Sequence, residues 1–192
     1  VKILWIDTET SGLDPNIHGI ISLAAMVEID GEIRERQTLY MDPRGIGKQL
    51  DAKALEVNGF TPESIGNLPA PKVLKSSLDE LMGKYVDKFD KNDKFIAAGY
   101  NVRFDVDMLN SLFKAFGDNY LFSWISGAML DVMAAFQFCV WMWKIQATPR
   151  NRLTDVAAAL GINTEGAHGA MADIEMTRAV AMALRERFES PF

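Results

Sequence analysis

A chain of 192 residues with 48% apolar and 24% charged side chains has the size and composition of one folded domain with a substantial core, which excludes disordered chains and small disulfide-stapled scaffolds. The formal net charge of -6 excludes a protein that coats nucleic acid by non-specific electrostatics, because such binding relies on many Lys and Arg contacts to phosphate; it leaves open one that grips a single strand end. The single cysteine, Cys139, cannot form an internal disulfide, and no charged segment followed by an apolar run opens the chain, so an intracellular, cytoplasmic setting is expected.

In chain order, Ile3 to Ile6 reads as a strand that ends in the acidic turn Asp7-Thr8-Glu9-Thr10-Ser11-Gly12-Leu13. Ile20 to Ile29 and Arg34 to Met41 read as two further strands around the hairpin signal Asp30-Gly31. A short helix is expected near Ala52 to Val57, and Thr61-Pro62-Glu63 has the form of a cap with proline at the first helical position. Apolar residues at helical spacing predict a helix from Lys72 to Phe89, and Phe95 to Gly99 a central strand before a helix beginning near Arg103.

Tyr120 to Ile145 carries only Asp131 and Lys144 as charges and is long enough to span a bilayer. An aspartate near its middle costs about 3 kcal/mol in a membrane, so it reads instead as a short strand, an Asp131 N-cap and a core helix to Lys144. Helices over Thr154 to Leu160, with Gly161 at the C-cap, and over Ala170 to Phe188 complete the chain. Antiparallel strands followed by alternating strands and helices give an α/β fold, with a mixed central sheet that is antiparallel in its first half and flanked by helices, in a single domain over residues 1–192.

The chemistry begins with Asp7 and Glu9. Side chains alternate along a strand, so these carboxylates share a face, and two adjacent like charges become reasonable when a hard cation lies between them. Helical geometry selects their partners. Asp105 aligns with Met108, Leu109 and Leu112 on an inward face, whereas Asp107 aligns with polar residues. Asp173 aligns with Met176, Thr177, Val180 and Leu184, while Glu175 can pair with Arg178. Inward carboxylates must be protonated, paired or metal-bound. His168, between Gly166 and Gly169, sits in a loop from which it can reach the same site; His18 reads as structural. The clusters Lys84/Lys88/Lys91/Lys94, Arg44/Lys48 and Arg150/Arg152 read as solvated faces.

These residues resemble the DnaQ-like three-prime to five-prime exonucleases of the RNase H-like fold, in the branch with a histidine base. Three motifs carry the resemblance: Asp7 through Leu13; Asn101 through Phe104-Asp105; and His168 followed by Asp173, with Leu153-Thr154-Asp155 through Ile162 just before the third. Two departures stand out, Ser11 where the family usually has Thr, and Asn58-Gly59-Phe60-Thr61 where it commonly has His-Gly-Ile-Thr.

The resemblance implies two divalent ions, Mg2+ or Mn2+, held by Asp7, Glu9, Asp105 and Asp173, with Asp7 bridging. His168 would be the general base for hydrolysis of the terminal phosphodiester, releasing a nucleoside 5′-monophosphate. Thr10, Leu13, Asn58 and Asn101 would contact the last nucleotide. The implied partner is a nucleic-acid 3′ end, single-stranded in preference and DNA in the first instance, with a polymerase or other replication protein as a further partner and no membrane. The other readings are an RNA-directed, oligoribonuclease-like exoribonuclease, an inactive strand-end-binding scaffold, and an interaction module that exposes the Tyr120 to Ile145 aromatics. The end of the chain at Phe192, soon after the last helix, favours an autonomous enzyme or an excised catalytic domain.

Overall fold

The computed structural model describes residues 1–142, 145–164 and 169–189. Its centre is a five-stranded sheet in the order β3-β2-β1-β4-β5. Strands β1 (Lys2–Thr10), β2 (Ile20–Ile29) and β3 (Glu32–Tyr40) form an antiparallel meander, and β4 (Phe95–Gly99) and β5 (Ile125–Asp131) add in parallel beside β1. The β2–β3 turn places Asp30 at φ 52° and Gly31 at φ 87°, the left-handed pair that a two-residue hairpin demands.

The first strand is longer than expected. It does not turn at Ile6 but carries Asp7, Thr8 and Glu9 within the ladder, opposite Ala24, Leu23 and Ser22, and breaks register only between Glu9 and Thr10. Pairing with β2 through Glu9, and with β4 along Ile3 to Trp5, holds the acids on a rigid element.

Helices cover both faces. Leu4 and Ile6 point into one core with Leu74 and Leu78 of α3 (Pro71–Gly83) and Val106 and Leu109 of α4 (Val102–Ala115). Trp5 points the other way, into a core with Phe136 of α6 (Val132–Trp141), Val156 of α7 (Leu153–Ala159), and Ile174 and Val180 of α8 (Ala170–Glu189). Each fully buried aliphatic or aromatic side chain contributes about 1.5–3 kcal/mol, so these opposed cores are what clamp β1 between two helical layers. Two short helices, α1 (Ala52–Asn58) and α2 (Pro62–Gly66), close one end over Ile21, and α2 starts on a capping box between Thr61 and Ser64.

Several expected boundaries move. The helix predicted to reach Phe89 ends at Gly83, although Val86 still packs in the core. Beyond it the carboxylates of Asp87, Asp90 and Asp93 accept backbone N–H groups of Phe89, Asn92 and Asp87, and these local turns displace the helical ladder. A one-turn helix, α5 (Leu121–Trp124), precedes β5 and was not foreseen. Asp131 caps α6 as expected, accepting the N–H groups of Met133 and Ala134, but α6 ends at Trp141 and Lys144 lies outside the described residues. Among the described residues, no helix is long and apolar enough to cross a membrane.

Candidate metal centre and adjoining cleft

Strand alternation decides which helix each acid of β1 meets. Asp7 and Glu9 continue the face of Trp5 and so point toward α8, whose first turn supplies Asp173. Carboxylate oxygens of Asp7, Glu9 and Asp173 all lie within 4.8 Å of one another. Thr8 continues the opposite face, that of Leu4 and Ile6, toward α4. There Asp105, only 4% exposed, accepts both the backbone N–H of Thr8 at 2.9 Å and its hydroxyl at 2.7 Å on a single oxygen, Oδ1. Three of the four expected acids therefore form one cluster, and Asp105 flanks it from the other helical layer.

Burial and mutual repulsion make the group unstable as free anions. Burial first, then the charges of Asp105, Asp173 and Glu9, push the Asp7 carboxyl up to about 8. Asp105 is pushed up to about 7, again chiefly by burial; the two hydrogen bonds from Thr8 oppose the rise and the charge of Glu9 adds to it. Without a cation the site retains protons at neutral pH. Clustered carboxylate oxygens are the donor set that a hard divalent cation takes, so the residues present fit such an ion.

The neighbouring acids are neutralised elsewhere. Asp107 pairs with Arg103 at 3.0 Å, as its polar face implies. Glu175 does not pair with Arg178: it meets Arg36 of β3 at 3.0 Å, while Arg178 reaches the buried Glu28 of β2 at 2.6 Å. Helix α8 lies across the sheet, and both side chains find strand partners that a single-helix view leaves out. Trp5 Nε1 donates to the same Glu28 oxygen at 2.9 Å.

A cleft of about 600 Å³ opens beside Glu9, between the loop after β1 and helix α1. Leu13 and Val57, each 80% exposed, line it together with Phe104, Lys53 and His18. Thr10 and Asn58 also line it, but the Thr10 hydroxyl donates to Gly12 O at 2.9 Å, and Asn58 Nδ2 donates to Thr10 O at 2.8 Å. Asn101 stands outside this cleft, at φ 62° and ψ 42°, with its N–H donating to Asp131 at 3.2 Å. His168, the expected base, lies outside the described residues. A second cleft, about 760 Å³, runs between residues 145–150, α7 and α8 and contains none of the clustered acids.

The loop that carries Leu13 is stapled from below. Ser11 is fully buried; its hydroxyl donates to Gln49 O at 2.6 Å and accepts Gly19 N–H at 3.0 Å, so serine suffices where the resemblance led to threonine. Lys48, read from the sequence as part of a solvated pair, holds the carbonyls of Pro15 and Asn16 and the Ser111 hydroxyl. Gly12, at φ 156°, leaves no room for a Cβ, which would stand 2.4 Å from the His18 ring. Sequence reasoning did not single out Thr8 or Phe104, and it read His18 as structural. For Thr8 the signal was present: the alternation that paired Asp7 with Glu9 also turned the residue between them toward the other helix layer.

Three comparisons bear on this arrangement. The exonuclease family RNase_T matches residues 4–181. Exodeoxyribonuclease I of Escherichia coli is 28% identical over 198 residues, covering 96% of this chain and 40% of that protein, and a PolC-type DNA polymerase III of Listeria monocytogenes is 26% identical over 179 residues, covering 93% of this chain and 11% of that protein. The chain thus spans well under half the length of these relatives. The zinc-bound crystal structure of the E. coli ExoI–ssDNA complex superposes with a TM-score of 0.78 at 24% identity, over 97% of this chain and 40% of that one, which shows the RNase H-like fold.

Proposed function

The chain belongs to the RNase_T exonuclease family, the DnaQ-like group its motifs resemble, and on that footing we propose that it hydrolyses the 3′-terminal phosphodiester of single-stranded DNA. The carrying observation is the cluster of Asp7, Glu9 and Asp173 oxygens within 4.8 Å of one another, with Glu9 also lining a cleft walled by Leu13 and Val57. Asp7, Glu9 and Asp173, with Asp105 beside them, would hold two divalent ions, Mg2+ or Mn2+. Bound there, the ions supply Lewis-acid stabilisation of charge on the phosphate and a lowered water pKa.

The remaining work belongs to this chain's own residues. Thr8 fixes the Asp105 carboxylate with two hydrogen bonds, and Leu13 and Val57 offer apolar surface to the terminal base. His168 accepts the proton of the attacking water; this role rests on its motif position five residues before Asp173. Water adds to phosphorus, the bond to the 3′-oxygen of the penultimate nucleotide breaks, that oxygen takes a proton, and a nucleoside 5′-monophosphate leaves. Stacking without base-edge discrimination gives weak sequence preference. DNA is favoured over RNA because the relatives are named as exodeoxyribonuclease and DNA polymerase. We extend the proposal to a single catalytic domain over residues 1–192, working inside the cell beside replication proteins.

Digestion of end-labelled single-stranded DNA and RNA of equal sequence tests the reading, with Mg2+, with EDTA, and with Asp7→Ala or His168→Ala protein. DNA should shorten from its 3′ end, and EDTA or either substitution should stop it. Cleavage that survives EDTA sinks the mechanism, faster RNA cleavage selects the exoribonuclease reading, and first release of the 5′ label as mononucleotide reverses the polarity.

A further inference from the structure

His18 lines the cleft, and its hydrogen bonds fix its proton. The backbone N–H of Asp14 meets Nδ1 at 3.2 Å, and an N–H can only donate, so Nδ1 is the acceptor and the neutral ring carries its hydrogen on Nε2. The ring cannot easily turn away. It packs where a Gly12 Cβ would stand, and the His18 backbone N–H donates to Asp14 O at 2.7 Å. Among the described residues Nε2–H has no hydrogen-bond acceptor. His18 thus brings a donor to the wall of a cleft of about 600 Å³, which it lines together with Glu9, Leu13 and Val57.

We propose that His18 positions the terminal nucleotide by donating its Nε2–H to the base atom that all four nucleotides share, N3 of a purine or O2 of a pyrimidine. This rests on the exonuclease reading above and deepens it. A lone donor aimed at the opposite base edge would sort the four bases, because acceptors and donors there differ. N3 and O2 are acceptors in every base, so one donor can hold any of them without sequence preference. The neighbours agree with a base at this end: Leu13 and Val57 offer exposed apolar walls, the Thr10 hydroxyl is already bonded to Gly12 O, and the Asn58 amide gives one hydrogen to Thr10 O. His18 is a positioning residue and takes no part in proton transfer.

The test removes the acceptor from the substrate. Oligonucleotides ending in deoxyadenosine, 3-deaza-deoxyadenosine or 7-deaza-deoxyadenosine are digested by the wild-type chain with Mg2+. Loss of one neutral hydrogen bond should lower kcat/KM about fivefold for the 3-deaza end, while the 7-deaza end should match deoxyadenosine. In His18→Phe, which keeps ring bulk over Gly12, the gap between deoxyadenosine and its 3-deaza analogue should close. As a readout independent of turnover, the 15N spectrum of the metal-free protein should show His18 protonated at Nε2. That resonance should shift with deoxyadenosine monophosphate and stay still with its 3-deaza analogue. Equal rates for all three ends, or a loss confined to the 7-deaza end, overturns the proposal and leaves the exonuclease reading standing. Absence of metal-dependent cleavage on every oligonucleotide overturns the exonuclease reading and this proposal with it.

Discussion

Thr8 gives both its backbone N–H and its hydroxyl to one oxygen of Asp105, at 2.9 and 2.7 Å, and so ties the acid of one helical layer to the strand that carries the acids facing the other. Removing the hydroxyl alone, in the nearly isosteric Thr8→Val, should push the already raised Asp105 carboxyl higher still. The expected result is about a tenfold loss of activity at neutral pH and an acidic limb of the pH–rate profile displaced to higher pH. Thr8→Ser should restore the profile, and an unmoved limb would remove Thr8 from the site.

Raised acids make the metal-free protein sensitive to base. Asp7 rises from 3.8 in the unfolded chain to about 8, and Asp105 to about 7, so the folded state binds protons more tightly. Their contribution to stability is fully present below about pH 4 and is lost as pH climbs through 7 to 8. Thermal unfolding in EDTA should therefore show Tm falling across that window. Added Mg2+ or Mn2+ should reverse the fall, by about 2.7 kcal/mol at a hundredfold excess over Kd.

Asp7→Asn separates these effects. Deleting this strongly perturbed charge should make the metal-free protein more stable than wild type near pH 8, while abolishing both turnover and the rise in Tm on adding metal. A variant that still gained Tm from metal would place the ion away from Asp7.

Two ion pairs that fasten α8 to the sheet, Arg178–Glu28 and Glu175–Arg36, should differ in strength. Glu28 is 7% exposed and its Oε2 receives both Arg178 and Trp5, so Glu28→Ala should cost about 3 kcal/mol by removing the acceptor of the Trp5 indole N–H and of Arg178 Nε. Glu175 and Arg36 are about half exposed, and Glu175→Ala should cost about 0.5 kcal/mol. Urea midpoints measure both, and comparable losses would contradict the burial argument.

Much of this was legible beforehand where a local rule had no competitor. The Asp30-Gly31 hairpin, the Asp131 cap and the helix from Ala170 follow from turn chemistry, capping and period, and the RNase H-like fold follows from three ordered motifs. Inward faces singled out Asp105, which is buried, and Asp173, which joins Asp7 and Glu9, while Asp107 and Glu175 pair with arginines at the surface. Failures came where partners lie far apart in the chain. Helical spacing paired Glu175 with Arg178, but strands more than a hundred residues away outcompeted that contact. The turn expected after Ile6 was overridden by the ladder to β2, which runs on through Glu9, and the end of α3 was decided by aspartates that bind their own backbone. Nothing in the sequence shows that the His18 ring packs against Gly12.

The opposed orientation of Thr8 and its neighbouring acids bears on the order of assembly during folding. Asp105 is placed by the layer built from α3 and α4, Asp173 by the layer built from α6, α7 and α8, and the strand between them belongs to both. An intermediate with only one layer condensed holds at most part of the ligand set. The layer built from α6, α7 and α8 assembles the Asp7, Glu9 and Asp173 cluster, so full cation affinity, with Asp105 in place, should emerge only once both layers have condensed on β1.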